Sequence, residues 1–130
     1  MANSSALVDT SIVIEHLRKH DKHSSILFRY ITNHTLYLPT IVEFELFAGT
    51  TDEAKRHDVE NILQVFSIVP LISKIAWQAA ELYQDLKQRN QLIEIRDLLI
   101  AATAVVYTLP ILTLNTKHFG RIPQLTILTD

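Results

Sequence analysis

Apolar positions fall into two kinds of run along this chain. Short apolar blocks, each closed by a polar residue or Pro, lie at residues 6–9, 36–38, 67–70, 111–114 and 126–128. Their length and composition predict buried strands. The first, Ala6-Leu7-Val8-Asp9, ends in an acid, and the second is stopped by Pro39. Longer stretches with helical spacing separate them. Thr10 or Ser11 is placed to cap a helix whose early apolar positions are Ile12, Ile14 and Leu17. Residues 24–32 read as a second helix through Leu27, Phe28, Tyr30 and Ile31. Residues 41–48 form a third, ending at Gly49, a residue type common just past a helix end. Residues 52–66 form a fourth. Ser73 caps a long amphipathic helix to about residue 90, with Ala76, Ala79, Ala80, Tyr83 and Leu86 facing inward. Asp97 opens a last helix, rich in Leu, Ile and Ala, to about Tyr107.

Strands alternating with helices predict an α/β domain: a central, mostly parallel five-stranded sheet with helices on both faces. Strands that are apolar throughout agree with a sheet covered twice. No linker, repeat or low-complexity tract interrupts the pattern, so residues 1–130 read as one domain with a core spanning about 6–128. In such sheets ligands bind at the carboxyl ends of the strands. Asp9 ends the first strand and Asn115 follows the fourth. Glu45 sits on the helix after the second, and Asp97 starts the helix that feeds the fourth. Four polar side chains, distant in sequence, are thus expected on one rim.

Composition narrows the chemistry. At 130 residues, 48% hydrophobic, the chain is long enough to bury a core unaided. It has no Cys, which excludes disulfides, Cys-ligated zinc, iron–sulfur clusters and thiol catalysis, and fits a reducing cytoplasm. Twelve Lys and Arg against 14 Asp and Glu give a net charge of −2, unlike a protein that coats nucleic acid. Local contact with a phosphate backbone through a metal remains open. The opening MANSSALVD has neither the basic nor the apolar segment of a signal peptide. Residues 98–116 carry no charge, but Thr103, Thr108, Thr113 and above all Pro110 point to a buried helix, a turn and a strand, not a membrane span.

An acid at the end of a buried strand must be paired, hydrogen-bonded or bound to metal. Taken singly, Asp97 reads as a helix cap, and Glu45, flanked by large apolar residues, as a structural acid. Taken together, three acids at one rim repel one another unless a cation joins them. All-oxygen ligands suit Mg²⁺, with Mn²⁺ as substitute, better than zinc.

Four segments carry a resemblance. They are Leu7-Val-Asp9-Thr-Ser-Ile12; residues 38–49, from Leu38-Pro-Thr to Glu45-Leu-Phe-Ala-Gly49; Arg96-Asp97-Leu-Leu-Ile-Ala-Ala-Thr-Ala104; and Thr113-Leu-Asn115-Thr-Lys-His-Phe119 followed by Ile122-Pro123. In this order and spacing the chain resembles PIN-domain proteins, and within them the VapC toxins of type II toxin–antitoxin modules. The resemblance implies a metal-dependent endoribonuclease that inhibits translation, a cognate VapB-type antitoxin and a homodimer. It places the family's acids on Asp9, Glu45 and Asp97, as metal ligands and catalytic groups, with Asn115 completing the site. Glu45 is chosen over Glu43 because the family pattern is an acid, Leu, two residues, then Gly. Residues two apart on a helix also face apart. In the implied mechanism a divalent ion lowers the pKa of the attacking water and steadies charge on the phosphate. A second Mg²⁺ would be recruited mainly by the substrate. Many members carry an acid just before the residue matching Phe119; here it is His118, which leaves fewer carboxylates for that second ion.

Thr10 and Ser11 are candidates for substrate contact, with capping as the equal alternative. Lys117 and Arg121 are candidates for phosphate contact. Arg96 either pairs locally with Asp97 or touches phosphate. His16, His20 and His23 would share a face on a continuous helix, but with no carboxylate partner they read as a solvated basic face. Trp77 and Tyr83 read as core or interface. The competing function is a non-catalytic PIN-fold module that binds protein or RNA. His118 leaves it open, whereas the presence of all three acids favours the enzyme. A HAD-type phosphatase would need a second Asp where Ser11 stands, and there is no Gly-rich phosphate loop.

Overall fold

The computed structural model describes residues 4–128. Its five strands are β1 (Ser4–Val8), β2 (His34–Pro39), β3 (Ser67–Val69), β4 (Ile111–Leu112) and β5 (Ile127–Leu128). They form one sheet in the order β3-β2-β1-β4-β5, and every neighbouring pair is parallel. The expected "mostly parallel" sheet is therefore wholly parallel among the described residues. Helices α1 (Thr10–Arg18), α2 (Ile26–Ile31), α3 (Thr40–Ala48), α4 (Glu53–Leu63), α5 (Ser73–Gln88), α6 (Ile95–Tyr107) and α7 (Thr116–Phe119) fill the crossovers.

Strand order fixes where the helices go. From β1 the chain steps outward to β2 and β3, then returns past β1 to β4 and β5. Right-handed crossovers put α1–α4 on one face and α5–α6 on the other. Helix contacts follow this division: α1 packs on α2 and α3, α3 on α4, and α5 on α6, while α3 also meets α6. One buried apolar cluster joins the layers, with Leu7, Val8, Ile12, Leu27, Leu38, Leu82, Ile100, Ile111, Leu112 and Phe119 almost fully enclosed. The chain reverses direction between β1 and β4, and the crevice at their carboxyl ends is the switch point of this topology.

Several boundaries differ from the sequence reading, each for a local reason. Asp9 itself, not Thr10 or Ser11, caps α1; its carboxylate accepts from the Thr10 N–H at 2.8 Å. Residues 24–32 do not form one helix. A single 3-10 turn at Lys22–Ser24 precedes α2, and buried Ser25 caps α2 by accepting from Phe28 N–H. α6 begins at Ile95, so Asp97 lies inside its first turn and does not open it. Ser73 is the first residue of α5, and Ile72 precedes it without a side-chain cap. Gly49 closes α3 with φ −83°, so its left-handed freedom goes unused. The inward face of α5 is Ile75, Ala79, Leu82 and Leu86, whereas Ala76, Ala80 and Tyr83 are exposed. Both sets have helical spacing; the bulkier Ile75 and Leu82 bury more apolar area and set the rotation. Trp77 lies on the outer side, 77% exposed, and is not core.

The uncharged run 98–116 resolves as expected. α6 ends at Thr108, in the left-handed conformation (φ 52°), and the chain turns through Leu109 and Pro110 into β4. No helix among the described residues is long and apolar enough to cross a membrane.

His16, His20 and His23 do not share a helix face, because α1 ends at Arg18. His16 instead packs onto the cap of α2, its Nδ1 2.7 Å from Ser25 Oγ. Since that oxygen also accepts from Phe28 N–H, its own proton points to a neutral His16 ring. Burial, then the nearby Lys22 ammonium, lower the His16 pKa below the ordinary value; Glu15 acts weakly the other way. The unfolded chain therefore binds this proton more readily, and stability falls as pH drops through the ordinary histidine range, near 6.5. Thermal melting of His16→Gln should lose less stability between pH 7.5 and about 5.5 than the wild type; parallel losses would contradict this assignment.

Candidate active site

The carboxyl end of the sheet gathers all four expected residues. Asp9 follows β1, where its N–H pairs with Leu112 O at 3.0 Å and locks it to β4. The residue is 1% exposed. Its Oδ1 accepts from Thr10 N–H; its Oδ2 accepts from Ser11 Oγ at 3.0 Å and Thr113 Oγ1 at 2.7 Å. A buried carboxylate with three hydrogen-bond donors keeps one orientation.

Glu45 reaches the same point from the second turn of α3. Its Oε1 accepts from Thr10 Oγ1 at 2.7 Å, and its Oε2 from Arg96 Nε. Asp97, also 1% exposed, approaches from the first turn of α6. Its Oδ1 accepts from Arg96 Nη1. Its Oδ2 lies 3.3 Å from Asn115 Nδ2 and 3.1 Å from His118 Nδ1, and those two nitrogens are 3.1 Å apart. Asn115 is held in turn by its N–H, which donates to Thr113 Oγ1 at 2.9 Å.

Arg96 stands at the centre. Its guanidinium touches Glu45 and Asp97 and lies 3.7 Å from Asp9 Oδ1. Burial opposes this charge, but Asp97, Glu45 and Asp9 outweigh it and hold the Arg96 pKa above the ordinary value. Of the alternatives open in the sequence, pairing is what the structure contains, and with three acids instead of one. Three carboxylates thus share one guanidinium.

Other expected residues have different tasks. The Thr10 and Ser11 hydroxyls are engaged in orienting Glu45 and Asp9; Ser11 Oγ also accepts from Leu114 N–H at 3.1 Å. Lys117 is exposed on α7, two residues past Asn115. Arg121 is tied to the α5–α6 loop, donating to Leu92 O at 2.8 Å and Gln91 O at 3.4 Å. Thr113 escaped the sequence reading, although a polar residue at the end of an apolar strand was a signal. His118 was singled out only as standing where many members carry an acid, and Arg96 as pairing with Asp97 or touching phosphate. The approach of His118 to Asp97 and the reach of Arg96 across to Glu45 depend on tertiary placement.

The donor set suits a hard divalent ion: carboxylate oxygens from three elements already share one cation. Among the described residues, no three His, Asp or Glu side chains are gathered closely enough to hold an ion as they stand. The guanidinium lies between the carboxylates. Beside Glu45, a cleft of about 480 Å³ opens between α1, α3 and α4, with apolar walls at Ile14, Leu17 and Val59 and with Arg18 and Lys55 at its margin.

Comparison with known proteins agrees with this architecture. The chain is 38% identical to Ribonuclease VapC of Rickettsia bellii, over 95% of this chain and 94% of that protein. It is 34% identical to Ribonuclease VapC1 of Methanocaldococcus jannaschii, over 93% and 83% of the two chains. Its fold superposes on a chain of VapBC2 from Rickettsia felis, solved bound to a DNA fragment from their promoter. The TM-score is 0.84 at 27% identity, covering 97% of this chain and 98% of that one. The family model for the PIN domain matches residues 6–125, a span that runs from within β1 past α7 and takes in every acid of the rim. With sheet order, rim and sequence in agreement, this chain belongs to the PIN-domain family.

Proposed function

We propose that the protein is a divalent-metal-dependent endoribonuclease, the toxin of a type II toxin–antitoxin pair, acting through Asp9, Glu45 and Asp97. The observation that carries this reading is the convergence of three carboxylates, two of them 1% exposed, on one cationic point at the sheet's switch point. Relatives at 38% and 34% identity bear the name ribonuclease, which supports the same activity here. The solved VapBC structure supports a VapB-type antitoxin as partner.

The reaction adds water across a phosphodiester P–O bond of RNA. Asp9 and Asp97 would hold Mg²⁺, or Mn²⁺ in its place, with Glu45 completing the ligand set or ordering the attacking water. When bound, the ion supplies charge for the phosphate and a lowered pKa for water. The rest falls to the chain's own side chains. Thr10, Ser11 and Thr113 fix the carboxylates in advance, so no reorganisation is needed during reaction. Asn115 and His118 steady Asp97 and set its orientation. Lys117 meets the RNA backbone, which positions the strand without reading its sequence.

The cleft beside Glu45 supports neutralisation by a partner segment laid along α1, α3 and α4, with apolar anchors on Leu17 and Val59. The exposed apolar stripe of Ala76, Trp77, Ala80 and Tyr83 on α5 supports a homodimer. Helix capping alone does not require Asp9, Glu45 and Asp97 to converge on one point, which favours the enzyme over a non-catalytic binding module.

Induced expression in bacteria tests the toxin reading. The wild type should halt amino-acid incorporation, and Asp9→Asn, which keeps the side chain's shape, should not. Normal growth and translation in cells that accumulate folded wild-type protein would contradict it.

A further inference from the structure

Every oxygen of the three carboxylates already has a partner. On one side each acid is held by groups other than Arg96: Asp9 Oδ2 by Ser11 and Thr113, Glu45 Oε1 by Thr10, and Asp97 Oδ2 by Asn115 and His118. On the other side Asp9 Oδ1, Glu45 Oε2 and Asp97 Oδ1 all face Arg96. The three remaining oxygens thus all face the guanidinium, each at a different nitrogen.

We propose that Arg96 is a built-in counter-ion that occupies the cation locus of the carboxylate cluster and must be displaced for a divalent ion to bind. This inference rests on the metal-dependent reading above and deepens it.

Three features support it. Arg96 is neither a surface residue that strayed inward nor a fully buried one; its side chain is 29% exposed, so it has an open side to leave by. It starts from the first turn of α6, one residue before Asp97, so a change of rotamer swings the guanidinium without moving the helix. Its three contacts are spread over α3, α6 and the end of β1, the elements that supply the acids. In metal-free protein such a cation offsets the repulsion among the acids and keeps the rim assembled. The same charge then opposes an incoming cation at close range, where Coulomb terms are large. Arg96 therefore stabilises the metal-free fold and weakens the affinity for metal.

The two effects separate in a direct binding experiment with Mn²⁺ alone, in the absence of RNA. Free Mn²⁺ is followed by its electron paramagnetic resonance signal as wild type, Arg96→Gln, Arg96→Lys and Asp97→Asn are titrated. Thermal melting is recorded in EDTA and in saturating Mn²⁺. Arg96→Gln should bind Mn²⁺ at least about tenfold tighter than wild type. It should melt lower than wild type in EDTA and recover in Mn²⁺. Arg96→Lys keeps the charge but cannot bridge three acids, so it should bind more tightly than wild type and less tightly than Arg96→Gln. It also serves as the readout if Arg96→Gln fails to fold without metal. Equal or weaker Mn²⁺ binding by the folded Arg96 variants would overturn the proposal while leaving the metal site intact. Indistinguishable binding by wild type and Asp97→Asn would overturn the metal reading itself, and this proposal with it.

Discussion

Asp97→Asn should lower the rate of RNA cleavage by on the order of 10³-fold while leaving the fold in place. Asn keeps the volume of the side chain but removes its charge and turns one acceptor oxygen into a donor. Both carboxylate oxygens face donors: Arg96 on one side, the Asn115 amide nitrogen on the other. One of these contacts therefore becomes donor against donor whichever way the amide is turned. The loss should appear in the rate at saturating RNA, because Asp97 would hold the ion that serves the reacting phosphate and not the strand as a whole. Single-turnover kinetics at saturating RNA, paired with a circular dichroism melt, measure both. A folded variant within tenfold of wild type would show that Asp97 is structural, which is the plain helix-terminus reading of this acid.

The second large effect is on stability, at Phe119. Its ring is fully enclosed, and it ends the short helix α7 that follows Asn115 and carries His118. Phe119→Ala should cost about 3–5 kcal/mol, from lost transfer energy and from the cavity left behind. Urea unfolding at equilibrium measures it. The site should suffer as well, since the ring anchors the segment that brings Asn115 and His118 to Asp97. Leu114→Ala is the contrasting substitution on the same segment. Leu114 is 49% exposed, and its replacement should cost well under 1 kcal/mol. Equal losses at the two positions would mean that α7 is not seated on the core as described.

Much of this arrangement was legible in the sequence, and the reasons are physical. Uniformly apolar strands broken by helical stretches specify a doubly covered parallel sheet, and that topology sends polar residues at strand ends to one rim. That rule places Asp9, Glu45, Asp97 and Asn115 on the rim, and all four meet there. Less legible were features decided by competition. Two residue sets on α5 shared helical spacing, and only packing against α6 and the sheet selected Ile75 and Leu82 over Ala76 and Tyr83. Asp9 outcompeted Thr10 and Ser11 for the cap because β1 delivers its carboxylate directly onto the first N–H of α1. The two hydroxyls then became available to Glu45 and Asp9, a use that spacing alone does not reveal. Arg96 was the hardest to place. A long, flexible cation beside an acid has several partners within reach, and three-dimensional convergence chose all three acids at once.

The central claim, that these carboxylates cut RNA with a divalent ion, is tested most directly by cleavage of an end-labelled cellular RNA pool. Purified, antitoxin-free wild type and Asp97→Asn are compared in Mg²⁺, Mn²⁺ and EDTA. The predicted result is cleavage at discrete sites by the wild type in either metal, abolished by EDTA and by Asp97→Asn. Equal cleavage by the two proteins, or cleavage that persists in EDTA, would contradict it.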